Sequence, residues 1–425
     1  MKLIKEIFRE YDIRGIYKEE MDEETAYLIG KAYGTKLREL NKTETVVAYD
    51  NRLSSVSLEK HLVKGLVETG INVKRIGLAT TPMCYFAANY YNTNASMMIT
   101  ASHNPKEYNG FKFSYNGLHN AYGNSVKEIY NIIKENKFAS GNGNVETLDI
   151  KEAYTNLILK NIKLGTRPIK VVYDCGNGTT SIIADQIFNK LNVEAIPLFN
   201  VSDGTFPNHH PDPCVYENLI QLREKVLETG ADFGVGFDGD GDRVGFIDNL
   251  GNMIETDKFL IIMWRYLVDK VEKKETLFDV KCSKSLEDEM KKLGIKALEY
   301  RTGNSYTRAA SVEYDCPLSG ELSGHVYFRD KFPGYDDGIY AGIRLIEALS
   351  NIDIPLNETL NGISKYYSTP ELKVKVTDET KFKIVDNKRF VNLSIDKNIE
   401  EAKTKLVKDN YARQLSEEEI ALKAK

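Results

Sequence analysis

Phe233-Gly234-Val235-Gly236-Phe237 leads directly into Asp238-Gly239-Asp240-Gly241-Asp242-Arg243, and this junction of an apolar stretch with an acidic loop decides the fold. The apolar residues predict a buried β-strand whose carboxyl end carries the carboxylates, where ligands of open α/β sheets bind. Side chains at alternate positions of extended backbone share one side, and the intervening glycines permit the curvature that points them at one centre. The pattern predicts a site for one hard divalent cation, and Mg²⁺ suits few carboxylates combined with phosphate oxygens.

Two other interpretations of the acidic loop are less favourable. An EF-hand loop begins similarly, but Arg243 stands at its sixth position, where glycine is required, and Asn249 at its twelfth, where glutamate belongs. A solvated acidic turn is the other alternative, and it accounts poorly for a run that leaves an apolar strand and is closed by an arginine.

A second polar loop, Thr100-Ala101-Ser102-His103-Asn104-Pro105, offers a serine hydroxyl. The alternatives are an ordinary turn serine and a hydrolase nucleophile, and the latter is disfavoured because the Gly-x-Ser-x-Gly elbow is absent. A serine that carries a phosphoryl group at rest needs a metal and cations to offset charge on the oxygens more than it needs a strong base. If both loops fold into one pocket, they predict metal-assisted phosphoryl chemistry on serine.

Strand and helix patterns alternate along the chain. Thr45 to Tyr49 predicts a strand, and apolar residues at helical spacing follow until Gly70. The later repeats comprise a strand at Ile169–Tyr173, a helix through Ile182 to Leu191, a strand at Glu194–Leu198, a helix at Phe259–Val271 and a strand at Thr276–Val280. The sequence therefore predicts an α/β fold with three similar mixed modules and mostly parallel sheets.

Domain boundaries are predicted where the periodicity lapses. Gly141–Asn144 is typical of a linker, and Asp248–Asn252 of a turn between two strands near a second boundary. A different tail starts at Ser368. We predict domains at residues 1–148, 149–250 and 251–367, and a shortened or diverged α+β domain at 368–425.

Composition narrows the class of protein. The 425 residues are 42% hydrophobic and 28% charged, as in ordinary globular proteins, and no apolar run approaches the length of a membrane span. A net charge of −5 without a dense basic stripe argues against nucleic acid or an anionic membrane as partner. The five dispersed cysteines include no CxxC pair, so we expect a soluble, cytoplasmic protein without disulfides.

Two further motifs accompany the serine loop, with its extension to Lys112, and the acidic loop. They are Phe8–Gly15 and Gly320-Glu321-Leu322-Ser323-Gly324-His325. Together the four motifs resemble the α-D-phosphohexomutase family, and within it the phosphomannomutase/phosphoglucomutase branch. The similarity runs from about Phe8 to about Ser368, with the motifs in the family's order.

The resemblance implies a four-domain protein around a central cleft. Ser102 would be the phosphoserine, and Asp238, Asp240 and Asp242 would bind one Mg²⁺ together with a phosphoserine oxygen. The phosphoryl group would pass to a hexose phosphate, form a hexose 1,6-bisphosphate and return to the serine from the other end. The implied activity is exchange between the 1-phosphate and 6-phosphate of mannose or glucose, in a monomer or homodimer.

The resemblance also implies roles for the cations around the serine. Arg14 and Lys112 would flank the phosphoserine and polarise the attacking hydroxyl or exchange protons with it. His103 would orient a hydrogen bond rather than act as the base. Arg243 would either stabilise transition-state charge or form a structural salt bridge to an aspartate. Lys281, after a predicted strand, is expected to reach into the cleft.

The motif around residue 320 would recognise the sugar. Glu321 and Ser323 alternate across Leu322, so an extended loop would turn both towards the sugar hydroxyls, and His325 would donate to the sugar or its phosphate. Gly303 and Asn304 belong to a neighbouring substrate-binding segment. Asn304 stands where relatives often carry histidine, which leaves a phosphate contact there open.

The tail departs from the family pattern. The Arg-x-Ser-x-Thr-Glu-Pro type loop that grips the non-reacting phosphate is absent after Thr369. Loss of two or three charge-assisted hydrogen bonds would weaken substrate capture by roughly two to five orders of magnitude. We therefore expect a protein that is phosphorylated but turns over poorly. Phosphoglucosamine mutase, phosphatase and phosphosugar-binding activities are the alternatives.

Overall fold

The computed structural model describes residues 3–117 and 119–366. Contacts divide the chain into two units, residues 1–363 and 364–425. The first unit contains three β-sheets with flanking helices, which confirms the predicted α/β class with mixed, mostly parallel sheets. The tail predicted as a fourth domain lies outside the described residues.

The first sheet carries the serine loop. Its elements are β1 Ile13–Ile16, α1 Glu23–Glu39, β2 Glu44–Tyr49, α2 Ser55–Val67, β3 Asn72–Leu78, α3 Thr81–Tyr90, β4 Ser96–Ile99, β5 Tyr108–Ser114, α4 Asn124–Glu135 and β6 Val145–Thr147. The strand order is β1-β5-β4-β2-β3-β6. The neighbours β4 and β2, β2 and β3, and β3 and β6 pair in parallel, whereas β5 pairs antiparallel with both β4 and β1.

Helices cover both faces of this sheet. Successive residues of a strand point to opposite faces, and in β2 Val47 packs in one apolar core with Leu62 of α2, whereas Val46 packs in another with Met83 of α3. The second of these cores continues into the other two sheets, for example to Phe237. The three sheets are thus held together by shared apolar burial.

The second and third sheets repeat the pattern with fewer strands. Their elements are α5 Lys151–Leu159, β7 Lys170–Asp174, α6 Ala184–Phe188, β8 Glu194–Leu198, α7 Ile220–Thr229, β9 Phe233–Phe237, β10 Val244–Asp248, β11 Met253–Ile254, α8 Thr256–Leu267, β12 Glu275–Asp279, α9 Lys284–Lys292, β13 Lys296–Tyr300, α10 Asn304–Glu313, β14 Leu318–Gly320, β15 Val326–Phe328 and α11 Gly338–Ser350. The strand orders are β11-β10-β9-β7-β8 and β13-β12-β14-β15. Short 3₁₀ helices lie at Lys5–Ile7, Thr179–Ile182, Tyr216–Leu219 and Leu356–Glu358.

The helix predicted from Ile182 to Leu191 is broken in the structure. A 3₁₀ turn over Thr179–Ile182 is separated from α6 by Ile183, which has a φ of −140°. The amide and the hydroxyl of Thr179 both donate to Gly239 O, each across 3.0 Å. Hydrogen bonds to the acidic loop therefore determine the backbone conformation of Thr179–Ile182, and the helical spacing of its apolar residues does not.

Other predicted elements shift by a few residues. The helix expected at Phe259–Val271 is α8, which starts at Thr256 and ends at Leu267. Gly141–Asn144, predicted as a linker, instead packs along the first sheet, where the Gly141 amide donates to Glu68 O, and leads into edge strand β6. Asp248–Asn252 forms the expected turn between β10 and β11. The boundaries at residues 148, 250 and 367 stay predictions.

This topology brings the serine loop and the acidic loop to the same region of the protein. Ser102 follows β4 and Asp238 follows β9, both at the carboxyl ends of strands, while Lys112 projects from β5. None of the described helices has both the length and the apolar composition needed to cross a membrane.

Candidate active site

Ser102 lies in the turn after β4 with a left-handed φ of +51°. Its amide N–H donates to Thr100 Oγ1 across 2.8 Å, which supports the turn. The residue is 2% exposed, and its hydroxyl donates to Asp238 Oδ2 across 2.8 Å, with His103 Nδ1 at 3.3 Å. The structure thus brings the serine and acidic loops into direct contact across 136 positions of sequence.

The carboxylates of Asp238, Asp240 and Asp242 are fully buried and converge, with one oxygen from each within 4.8 Å of the others. Gly241 reverses the chain at a φ of +79°, and its amide donates to Asp238 Oδ1 across 3.0 Å. Within the described residues, Oδ1 of Asp240 and Oδ1 of Asp242 have no hydrogen-bond partner. Buried oxygens that lack partners and share a centre suit a divalent cation.

The ammonium of Lys112 crosses from the first sheet into this cluster. Its Nζ lies 2.8 Å from Asp240 Oδ2 and 2.6 Å from Asp242 Oδ2. Burial acts to lower the pKa of Lys112, but the two carboxylates outweigh it and raise that pKa well above its ordinary value. The lysine is therefore a fixed positive charge, and it lies on the acidic cluster, where Asp240 also accepts from Thr81 Oγ1 across 2.6 Å.

The carboxyl groups of the cluster differ in their pKa. Burial, reinforced by Asp240 and Asp242, raises the pKa of Asp238 well above its ordinary value. Burial also acts to raise the pKa of Asp240, but the charge and hydrogen bond of Lys112 lower it. Burial and the charge of Asp240 raise the pKa of Asp242 as well, although Lys112 also binds it, so negative charge in the cluster is concentrated on Asp240.

Two arginines stand beside Ser102. Arg14 Nη2 lies 2.6 Å from Asp12 Oδ2, and its Nη1 donates to Asn104 Oδ1 across 2.7 Å, so Arg14 supports the serine loop. Arg243 Nε lies 3.9 Å from Asp238 Oδ2, a distance of charge attraction without a hydrogen bond. Burial and the charges of Arg243 and Arg14 lower the pKa of His103, so its ring is neutral at pH 7.

The predicted sugar loop has a different conformation from the one expected. Residues 321–324 form a turn, closed by the Gly324 amide donating to Glu321 O across 3.1 Å, with Gly324 at a φ of +93°. The turn buries Glu321, whose Oε1 accepts from the Gly303 amide at 2.6 Å and from Thr307 Oγ1 at 2.7 Å. Ser323 remains half-buried. The extended loop with Glu321 and Ser323 on one side is therefore wrong.

His325 is held from behind by an aspartate. Its Nδ1 lies 2.7 Å from Asp336 Oδ2 and 3.0 Å from Asn304 Nδ2. The backbone of His325 forms an isolated β-bridge with Arg243, which joins the acidic loop to the sugar loop. Asp336 thus fixes the ring orientation of the histidine.

A small pocket of about 30 Å³ gathers side chains from the three sheets. Its lining residues are Tyr11, Asp12, Arg14, Ser102, Lys112, Asn120, Arg243, Asn304, Ser305 and His325. Lys281 is not among them and lies in an exposed turn after β12. Six of the fourteen predicted site residues therefore line this cavity, namely Arg14, Ser102, Lys112, Arg243, Asn304 and His325.

Sequence reasoning missed three residues that support the site. Arg52 donates to Ser102 O, Thr81 donates to Asp240 and Asp336 holds His325. Arg52 and Thr81 follow β2 and β3 closely, so a search of every strand's carboxyl end would have found both. Asp336 precedes α11 and carries no comparable signal.

Comparisons with known proteins agree with this architecture. Residues 5–140, 152–251 and 255–367 match the α/β/α domains I, II and III of phosphoglucomutase/phosphomannomutase. The chain is 40% identical over 380 residues to a phosphomannomutase/phosphoglucomutase of Pseudomonas putida, covering 89% of this chain and 82% of that protein. It is 38% identical over 378 residues to a phosphoglucomutase of Neisseria meningitidis serogroup A, covering 88% and 82%.

A solved structure shares the fold. The chain matches a phosphoglucomutase/phosphomannomutase family protein of Burkholderia thailandensis with a TM-score of 0.82 and 38% identity. The match covers 87% of this chain and 81% of that one.

Proposed function

The chain belongs to the phosphoglucomutase/phosphomannomutase family of α-D-phosphohexomutases, and from this premise we propose that it interconverts the 1-phosphates and 6-phosphates of mannose or glucose through phosphorylated Ser102. It is a hexose phosphate mutase, an isomerase of a metal-dependent family. The observation that carries the proposal for this site is the 2.8 Å hydrogen bond from Ser102 Oγ to Asp238 Oδ2. It joins the phosphoryl carrier of one domain to the cation ligands of the next.

The acidic loop fits one Mg²⁺. The three buried carboxylates offer convergent oxygens, and within the described part of the chain Oδ1 of Asp240 and Oδ1 of Asp242 accept no hydrogen bond. Asp238, Asp240, Asp242 and Ser102 would hold the ion. When bound, the ion offsets negative charge on the transferring phosphoryl oxygens.

Fixed cations of the protein assist the transfer. Lys112 stays protonated beside Asp240 and Asp242, so it contributes charge and does not accept a proton in this arrangement. Arg243 and Arg14 line the same pocket as Ser102. Their guanidinium groups suit the developing charge on phosphoryl oxygens.

The reaction balances over two transfers. In the first, the bond between phosphorus and Ser102 Oγ breaks and a bond from phosphorus to the free sugar hydroxyl forms. The sugar hydroxyl loses a proton and the released Ser102 Oγ gains one. The hexose 1,6-bisphosphate turns over in the cleft. In the second, the bond between the other phosphorus and its sugar oxygen breaks and a bond from that phosphorus to Ser102 Oγ forms. The Ser102 hydroxyl loses a proton and the released sugar oxygen gains one. Neutral His103, at 3.3 Å from Ser102 Oγ, orients the serine oxygen between transfers.

Sugar recognition is assigned to the turn at residues 321–324. Glu321 is buried and bonded to Gly303 and Thr307, which fixes its second carboxylate oxygen for sugar hydroxyls. Half-buried Ser323 and His325, held by Asp336, supply further hydrogen bonds. A carboxylate that accepts from two hydroxyls suits the vicinal diol of mannose and glucose.

Intact-mass analysis tests the carrier. The wild-type protein, incubated with glucose 1,6-bisphosphate and Mg²⁺, is expected to gain one phosphoryl group, and Ser102→Ala to gain none. Ser140→Ala, which changes an exposed serine of the same domain, serves as the matched control and should be labelled like the wild type. Equal labelling of Ser102→Ala would contradict the proposal.

Steady-state assays test the substrate. Mannose 1-phosphate and glucose 1-phosphate should both give 6-phosphates, at higher kcat/KM than glucosamine 1-phosphate. Release of inorganic phosphate without isomerised sugar would show a phosphatase instead. The residues after Thr369 lie outside the described part of the chain, so the poor turnover expected from them stays a prediction, which the same assays test.

A further inference from the structure

Arg52 lies fully buried behind the serine loop and binds only its main chain on that side. Nη1 donates to Pro105 O at 2.6 Å and to Tyr108 O at 3.1 Å. Nη2 donates to Ser102 O at 2.6 Å and to Asn104 O at 2.7 Å. The guanidinium thus binds four carbonyl groups of the segment that contains Ser102.

The remaining donor of Arg52 binds an aspartate of its own strand end. Nε donates to Asp50 Oδ2 at 3.0 Å, and the Arg52 amide donates to Asp50 Oδ1 at 3.0 Å. Ser55 Oγ also donates to Asp50 Oδ1, at 2.5 Å. All five N–H donors of the guanidinium are therefore used, which a lysine with three donors cannot reproduce.

The second domain closes the other side of Arg52. The ring of Phe206 lies 5.4 Å from the guanidinium carbon. A Cβ at Gly204 would meet Asn51 O at 2.0 Å, and Asn51 Nδ2 donates to Asn177 O at 2.7 Å. Arg52 is consequently fixed between the domain of the serine and the domain of the acidic loop.

Ser102 O, which Arg52 holds at 2.6 Å, also borders the acidic loop, because a Cβ at Gly239 would lie 2.7 Å from it. We propose that Arg52 is a positioning residue for phosphoryl transfer: it keeps Ser102 in its left-handed conformation and at its distance from Asp238, without touching the substrate. The proposal rests on the proposed function, since it assumes that Ser102 carries the phosphoryl group.

Arg52→Lys tests the proposal, with kcat and KM measured per folded protein. We expect kcat to fall about 100-fold, because a misplacement of about 1 Å at a reacting centre costs that much, and KM to change less than about threefold. The rate of Ser102 labelling from glucose 1,6-bisphosphate should fall in parallel. An unchanged kcat, or a rise in KM with kcat retained, would overturn the proposal.

Arg344→Lys is the matched control. Arg344 is also fully buried and paired, to Asp330 and Glu347, but it lies on α11 away from the pocket. This variant should lose stability and keep kcat. If both variants lower kcat equally, Arg52 has only a general structural role.

Chemical rescue separates positioning from folding, including the case in which Arg52→Lys folds poorly. Added guanidinium should restore kcat of Arg52→Ala at least tenfold at a constant melting temperature, and methylammonium at equal ionic strength should not. Failure of guanidinium to raise kcat of the folded variant contradicts the proposal. Absence of label on wild-type Ser102 would instead refute the proposed function.

Discussion

Replacing Gly239 by alanine should separate the two halves of the site without removing any functional group. The added Cβ would lie 2.7 Å from Ser102 O, and the backbone of Gly239 is outside the left-handed region, so only the steric contact is changed. Ser102 O cannot retreat freely, because Arg52 Nη2 holds it at 2.6 Å.

The size of the effect follows from this contact. The Cβ must move about 0.7 Å from the carbonyl to reach the ordinary contact distance of 3.4 Å. A shift of that size between Ser102 and the acidic loop is expected to lower kcat about 10- to 100-fold. This corresponds to about 1.4 to 2.7 kcal/mol of transition-state stabilisation.

The assay couples glucose 6-phosphate formation to its NADP-dependent oxidation, with labelling of Ser102 followed by mass. Gly342→Ala is the control, because Gly342 lies in α11 and the three atoms nearest to its added Cβ all belong to the side chain of Val235, at 3.2 Å or more. We expect wild-type kcat for this control. A wild-type kcat for Gly239→Ala as well would refute the inference that the spacing of the two loops limits the transfer.

Three further changes test charge, pH and sugar contacts. Lys112→Met leaves Asp240 and Asp242 without their cation and should cost about 3 to 5 kcal/mol of unfolding free energy; Mg²⁺ should then raise the melting temperature of the variant more than that of the wild type, and equal shifts would contradict this. Burial raises the pKa of Asp337 from 3.8 to about 7, so its protonated form contributes stability that is complete below pH 3.8 and is lost as the pH rises towards 7. Asp337→Asn should therefore lose less melting temperature between pH 4 and pH 7 than the wild type, and parallel pH curves would show that Asp337 does not titrate in this way. Glu321→Gln weakens charge-assisted contacts and should raise KM for glucose 1-phosphate about tenfold, whereas an unchanged KM would remove Glu321 from the sugar site.

The spacing of apolar residues predicted a strand or helix correctly wherever the conformation of that segment depends on its own residues. β2 and β8 lie where alternating and β-branched residues placed them, and the carboxyl ends of β4 and β9 carry the expected loops. The failure at Ile182–Leu191 has a tertiary cause, since the Thr179 amide and hydroxyl are bound by Gly239 O from a loop 60 positions away.

In the candidate site, too, features that depend on neighbouring residues could be predicted from the sequence, and features that depend on distant residues could not. Ser102 and the three aspartates could be predicted, because each motif brings its own chemistry within a few residues. The turn that buries Glu321 could not, because it depends on donors from Gly303 and Thr307 in another element.

The left-handed backbone of Ser102 sets a condition on engineering this chain. That conformation costs a residue with a Cβ about 1 to 2 kcal/mol, and glycine escapes the cost. A redesign that ranks positions only by conformational preference would install glycine at 102 and produce a more stable protein without the serine that we propose as the phosphoryl carrier. A substitution at position 102 that raises thermal stability is therefore expected to abolish turnover, so Ser102 should be retained when this protein is stabilised by mutation.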